Sequence, residues 1–206
     1  MALADARIGH LARLARWRDI LIPADVTRCA TIAAADCNLA RELMLDPTTN
    51  SLCDTFMARA LALSLQNVRS GRGGPFAAVI VKGSEIIAEG MNCVTATNDP
   101  TAHAEMVAIR EACRKLQSFE LVECEIYTSC EPCPMCMGAI YWARPARVYF
   151  ANSAADAARA GFDDAFIYRE LSAPHAERKI PMIQLRHDEA PAAFRAWREK
   201  SDKIRY

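Results

Sequence analysis

Two metal-binding motifs constrain this chain more than any other feature of its sequence. Residues 131–136 read Glu-Pro-Cys-Pro-Met-Cys, and upstream of them His103 and Glu105 stand two positions apart. The spacing of Cys133 and Cys136 lets two thiolates reach one tetrahedral zinc ion. A fold that uses both motifs must bring the His103 segment and the Cys133 segment to a single point.

The number of candidate ligands indicates a catalytic metal site. His103, Cys133 and Cys136 supply three ligands, and catalytic zinc sites keep a fourth position open for water, whereas structural sites are closed by four protein ligands. Cys130 is the alternative fourth ligand, and its use would close the site. A redox cysteine pair of the thioredoxin type is a further alternative, although it leaves His103 and Glu105 without a role.

From Ser51 onward the chain alternates between predicted helices and strands. Apolar runs rich in Val and Ile predict strands, and apolar residues at helical spacing predict helices. The predicted strands span residues 76–82, 85–89, 121–128, 147–150 and 180–185, and the predicted helices span residues 56–67, 102–116, 134–143 and 191–203. This order predicts an α/β fold with three layers, α/β/α, around a mixed five-stranded sheet.

The first fifty residues differ from the rest of the chain. They contain six arginines, six acidic residues and no lysine. Transit peptides are rich in Arg but poor in acidic residues, so this composition argues against one. Four apolar residues recur at helical spacing and predict an amphipathic helix: Ile8, Leu11, Leu14 and Trp17. We interpret residues 1–50 as an N-terminal extension and residues 51–206 as the functional domain; the alternative is a native start at Met44 or Met57.

The balance of charged residues indicates which class of molecule the protein binds. The chain has 25 basic and 25 acidic residues, whereas binding to a nucleic-acid backbone usually requires a basic excess. A small-molecule substrate is therefore favoured over nucleic acid. The nine cysteines come without an apolar export signal, which favours thiols and metal ligands over disulfides. No apolar run approaches the roughly 20 residues that span a bilayer, so we expect a cytoplasmic protein with no membrane segment.

The motifs and several segments outside them carry a resemblance to a known family. His-x-Glu followed by Pro-Cys-x-x-Cys resembles the signature of zinc nucleobase deaminases. Residues 51–206 also resemble the bacterial guanine deaminases, which have a cytidine-deaminase-like fold. The segments that carry this resemblance are 73–82, 98–105, 127–145, 160–168 and the terminal Arg205-Tyr206. The Gly-Phe-Asp-Asp stretch at 161–164 and the terminal Tyr206 are the features that indicate guanine.

The resemblance implies a reaction and a set of residue roles. One zinc ion per subunit would be held by His103, Cys133 and Cys136, and guanine would be hydrolysed to xanthine and ammonia with Glu105 moving the protons. The implied substrate contacts are Asn92 on the purine edge, Asp164 on ring N–H or amine donors, Phe76 in a stack with the His103 ring, Ala104, Trp142 and Tyr206. The resemblance further implies a homodimer that exchanges its C-terminal segments, so that Tyr206 would close the partner's pocket.

Alternatives to this function remain at this stage. The same zinc motifs occur in deaminases of tRNA adenosine, cytosine, guanosine or a triazine, and a non-enzymatic zinc module would use Cys130 as a fourth ligand. The chain also departs from the family pattern at two positions near the predicted pocket. Ala77 stands where Gly is expected, and Cys93 stands where a second Asn is expected.

Overall fold

The computed structural model describes residues 47–206, and it describes side chains from residue 51 onward. The helix predicted near Ile8, and the rest of the predicted N-terminal extension as far as residue 46, lie outside the described residues. The helices are α1 Pro47–Arg69, α2 Val94–Thr97, α3 Ala104–Leu116, α4 Pro134–Ala143, α5 Ala154–Arg159, α6 Ala165–Ser172 and α7 Pro191–Glu199, with a 3-10 turn at His175–Glu177. The strands are β1 Ala77–Lys82, β2 Glu85–Met91, β3 Cys124–Cys130 and β4 Arg147–Asn152.

The strands form one mixed sheet in the order β2-β1-β3-β4. Strand β1 is antiparallel to both β2 and β3, and β3 is parallel to β4. The strands β2, β3 and β4 therefore all end at the edge of the sheet where β1 begins. This edge collects the loops that follow three strands, and in open α/β sheets ligands bind at such an edge.

Helices cover both faces of the sheet, which confirms the predicted α/β architecture. Side chains of β1 alternate between the faces, as strand geometry requires. Ala78 and Ile80 pack with α3 and α4 in one cluster, whereas Val79 and Val81 pack with α1 on the other side. Because β1 is covered on both sides, its apolar run is continuous rather than alternating.

The prediction of a five-stranded sheet is wrong for this part of the chain, since the sheet of residues 47–206 has four strands. Residues 180–185 are not a strand, and Ile180, Ile183 and Leu185 are 78%, 79% and 87% exposed. Their apolar pattern is typical of a strand, but a strand forms only where a neighbouring strand can accept and donate its backbone hydrogen bonds. Three helices were also missed, α2, α5 and α6, because they are short.

Within residues 47–206, no helix combines the length and hydropathy needed to cross a bilayer.

A close approach between β2 and the start of α3 places the helix against the sheet. A Cβ atom built on Gly90 would lie 2.1 Å from the carbonyl oxygen of Ala104 and 2.6 Å from the backbone nitrogen of Ala108. Contacts this short are incompatible with any side chain. Glycine at position 90 is therefore required for α3 to begin where it does, directly above β2.

We predict that Gly90→Ala destabilises the protein, because the added methyl group must push α3 away from the sheet. Overpacking of this kind costs about 1–3 kcal/mol, to be measured by denaturant unfolding of the zinc-loaded protein. The matched control is Gly138→Ala in α4, where an added Cβ would meet nothing within 4 Å. Equal stabilities of the two variants would contradict the close packing described here.

Candidate metal centre and active site

The two predicted metal-binding motifs meet at the edge where β2 and β3 end. His103 is the residue that caps the N-terminus of α3, and Cys133 occupies the same position at α4. Both have extended backbone dihedrals, with φ −67° and ψ 157° for His103 and φ −66° and ψ 168° for Cys133. Two helix N-termini thus converge, and their partial positive charge favours thiolates.

The distances between the ligand atoms fit a zinc ion. His103 Nδ1 lies 3.5 Å from Cys133 Sγ and 3.6 Å from Cys136 Sγ. With zinc–nitrogen and zinc–sulfur bonds of about 2.1 and 2.3 Å, a tetrahedral ion would separate these atoms by about 3.6 Å. All three ligand atoms lie within 4.8 Å of one another. The donor set of one imidazole nitrogen and two sulfurs is also one that zinc prefers.

Cys130 lies outside this group. Its Sγ is directed toward the carbonyl oxygen of Ser153, at 3.7 Å, and burial raises the pKa of the thiol to about 11. Cys130 is not among the residues whose ligand atoms lie within 4.8 Å of one another. Within the described part of the chain, three residues form a group that could hold a metal ion: His103, Cys133 and Cys136. Three ligands leave the fourth position of a tetrahedral ion open to water.

Glu105 stands beside the ligands without belonging to them. It is the second residue of α3, is only 6% exposed, and its Oε2 lies 3.5 Å from Cys136 Sγ. Burial raises the pKa of this carboxyl above its usual range. A carboxyl with a raised pKa can take a proton in one step and return it in the next near neutral pH.

The predicted purine contacts Phe76 and Asn92 lie next to each other at the same edge. Phe76 precedes β1 and Asn92 follows β2, and the backbone N–H of Asn92 donates to the carbonyl of Phe76 at 3.1 Å. The Phe76 ring also meets the edge of the Phe162 ring, with centroids 4.9 Å apart. Asn92 is 9% exposed, and its Oδ1 accepts a hydrogen bond from the backbone N–H of Val94 at 3.4 Å.

Two neighbouring carboxylates in the loop before α6, those of Asp163 and Asp164, make different contacts. Asp163 caps the helix, since its Oδ1 accepts a hydrogen bond from the backbone N–H of Ala165 at 2.9 Å. Asp164 makes no capping hydrogen bond with its side chain. Burial and then the charge of Cys133 raise the pKa of Asp164 above its usual range. The carboxylate of Asp164 is therefore not used in capping α6.

The other three residues predicted to contact the substrate, Ala104, Trp142 and Tyr206, differ in how exposed they are. Ala104, between His103 and Glu105, is fully buried. Trp142 on α4 and the terminal Tyr206 are 64% and 70% exposed, and their ring centroids lie 6.1 Å apart. Within one chain the structure thus brings these two aromatic residues to each other on the surface.

One polar residue that supports this edge has no motif in the sequence. Asn67 is fully buried on α1, one helical turn after Leu63 on the apolar face. A polar residue at an apolar position of an amphipathic helix is the signal that could have identified it.

Comparison with known proteins now identifies the family. Residues 51–152 match the cytidine and deoxycytidylate deaminase zinc-binding region. The chain is also 56% identical over 153 residues to the guanine deaminase of Bacillus subtilis, which covers 74% of this chain and 98% of that protein. The chain belongs to the bacterial guanine deaminase family. Family and donor set agree that the metal is zinc.

Solved structures support the same assignment. The crystal structure of the B. subtilis guanine deaminase superimposes with a TM-score of 0.73 over 74% of this chain and 98% of that chain. A guanine deaminase from Nitrosomonas europaea is 32% identical, with a TM-score of 0.51 over 58% of this chain and 65% of that chain.

A tRNA-specific adenosine deaminase from Aquifex aeolicus is 50% identical over only 76 residues, 37% of this chain and half of that protein.

We predict that Cys133→Ala abolishes stoichiometric zinc binding, whereas Cys130→Ala retains it, because only Cys133 faces His103. Metal content of the purified variants, measured by mass spectrometry, tests this difference. Zinc loss in the Cys130→Ala variant would contradict the three-ligand site and would indicate a closed structural centre.

Proposed function

We propose that this protein hydrolyses guanine to xanthine and ammonia. The observation that carries the proposal is the 56% identity over 98% of the B. subtilis guanine deaminase, together with an open three-ligand site in this chain. Residues 51–206 would form the zinc-dependent domain, with residues 1–50 as an extension to it. An enzyme of purine breakdown would act in the cytoplasm.

The residues of this chain divide the chemistry between them. His103, Cys133 and Cys136 would hold the ion, and a bound zinc ion lowers the pKa of water to about 7, which supplies a nucleophile near neutral pH. As the nucleophile forms a C–O bond at C2 of guanine, Glu105 would take its proton and pass it to a ring nitrogen. Glu105 would then move the remaining proton of the C2 hydroxyl group to the departing amine as the C2–N bond breaks and the C2 carbonyl forms, so that guanine and water become xanthine and ammonia.

The side chains around Glu105 match the faces and edges of a purine. The Phe76 and His103 rings would contact the two faces of the base. The amide of Asn92 offers both a donor and an acceptor for the purine edge, and the carboxylate of Asp164 accepts from ring N–H or amine groups. Ala104, fully buried beside Glu105, would line the floor.

Charge near the site favours a small base over a tRNA. Burial first, and then the charges of Cys133, Asp163 and Glu131, raise the pKa of Asp164, so the charged groups that raise it are anionic. A polyanionic RNA backbone is bound by Lys and Arg, and the chain has no excess of either. The proposed specificity therefore excludes the tRNA adenosine reaction of the relatives that match a smaller part of this chain.

We further propose a homodimer in which the C-terminal segments are exchanged. In a single chain, the segment after α6 exposes many large apolar side chains: Ile180, Met182, Ile183, Leu185, Phe194, Ile204 and Tyr206. Such a surface is normally covered in a stable protein. Residues 180–185 could pair with the outer edge of β4 in a partner and supply the fifth strand there. Tyr206 and Trp142 would then complete the pocket across the interface.

We predict that Glu105→Gln lowers guanine turnover by about 10²–10⁴-fold, the usual contribution of a general acid–base group, while zinc content stays unchanged. Ammonia release from guanine is the measurement, with guanosine, adenine, cytosine and cytidine as comparison substrates for the unmodified protein. Turnover of another substrate in preference to guanine would contradict the proposed specificity. Zinc binding by the unmodified protein with no turnover of any of these substrates would indicate a zinc module.

The exchange can be tested by mixing two inactive variants. A chain lacking Tyr206 keeps Glu105, and the Glu105→Gln chain keeps Tyr206. If Tyr206 acts in the partner's pocket, co-expression of both variants creates one complete site per mixed dimer and restores guanine turnover to a measurable fraction of normal. If Tyr206 acts in its own chain, the mixture stays at the level of the separate variants, and the exchange is wrong.

A further inference from the structure

Asn67 is a buried polar residue that the proposed chemistry does not use. It lies in the last turn of α1 and is fully buried, in a helix whose inward residues Phe56, Ala60 and Leu63 pack against the sheet. Burying an amide is unfavourable unless hydrogen bonds compensate for the lost water. The contacts of this amide therefore indicate why it is present.

Both donor hydrogens of the Asn67 amide are used on backbone carbonyls from separate segments. Nδ2 donates to the carbonyl oxygen of Gly74 at 2.9 Å and to that of Asn92, also at 2.9 Å. Gly74 belongs to the loop before β1, and Asn92 directly follows β2. A single side chain thus holds together the two loops that carry Phe76 and Asn92.

Backbone hydrogen bonds extend this connection to the proposed purine contacts. The N–H of Phe76 donates to the same Gly74 carbonyl at 2.8 Å, and the N–H of Asn92 donates to the carbonyl of Phe76 at 3.1 Å. The surroundings of the Asn67 amide are closely packed, because a Cβ on Gly73 would lie 2.1 Å from the Asn92 carbonyl oxygen and 3.0 Å from Asn67 Nδ2. Movement of the Asn67 amide would therefore displace Phe76 and Asn92 together.

The other half of the amide argues against a role in stability alone. Asn67 Oδ1 is buried without a hydrogen-bond partner, and it is the one such side-chain atom found in the described part of the chain. An unsatisfied buried acceptor lowers stability. A buried group of this kind in a native protein needs an explanation, and a functional role is one.

We propose that Asn67 is a positioning residue for substrate binding, an inference that depends on the proposed guanine deaminase activity. Its amide sets the relative positions of Phe76, which would stack on the base, and Asn92, which would read the purine edge. The zinc ligands and Glu105 lie on or next to α3 and α4 and take their positions from those helices. Asn67 therefore acts on recognition of the base more than on the proton transfers.

The test uses Asn67→Leu, which keeps a similar volume and removes both donors, and Asn67→Ser, which is smaller and keeps one donor. We expect the KM for guanine to rise about tenfold or more in Asn67→Leu, because misplaced binding groups weaken binding. We expect kcat to fall by less than about threefold and zinc content to stay unchanged. Asn67→Ser should give an intermediate KM.

The matched control is Leu63→Ala, which creates a cavity one turn earlier on the same buried face of α1 and makes no bond to the pocket loops. It should lower the melting temperature while leaving KM unchanged. An Asn67→Leu protein that is equally destabilised but has a normal KM would overturn the proposal, as would failure of both Asn67 variants to fold. Absence of guanine turnover in the unmodified protein would instead reject the proposed function.

Discussion

The zinc site depends on two helices beginning at the same point on one edge of the sheet. Helix α3 starts after His103 and α4 after Cys133, and only this convergence brings Nδ1 within 3.5 and 3.6 Å of the two sulfurs. The absence of a side chain at Gly90 permits it, because α3 begins against the backbone of β2. Helix termini, strand order and one glycine thus cooperate to build a site that no single element contains.

The same edge of the sheet carries both the groups proposed to perform the chemistry and the groups proposed to recognise the base. Glu105 is carried on α3, one residue beyond Ala104, so the group proposed to move protons and the ligand His103 share one rigid helix start. Phe76 and Asn92 belong instead to loops at the ends of β1 and β2, and loops need other support. The buried Asn67 amide supplies hydrogen bonds to both of those loops, which separates the support of recognition from that of catalysis.

The C-terminal part of the chain exposes apolar side chains whose sequence pattern predicts burial. Helix α7 and residues 180–185 expose Phe194, Ile183 and Leu185, although their patterns predict buried elements. A predicted strand has no energetic advantage without an adjacent strand and a core to cover. The failure of the five-stranded prediction within one chain therefore has the same physical origin as the proposed exchange between two chains.

The sequence alone predicted most of the helices and strands, the three residues that gather as a candidate zinc site and the role of Glu105, because spacing and periodicity are local properties that side-chain chemistry dictates. It also indicated Asp164, but it could not separate substrate binding from helix capping. The tertiary structure assigned the capping to Asp163, placed Cys130 beside Ser153 and revealed the bridge made by Asn67. The contacts of Cys130 and Asn67 depend on which segments meet in the fold, and contacts between distant segments leave no periodic trace in the chain. The contact of Asp163 is local and depends on the conformation of the loop before α6.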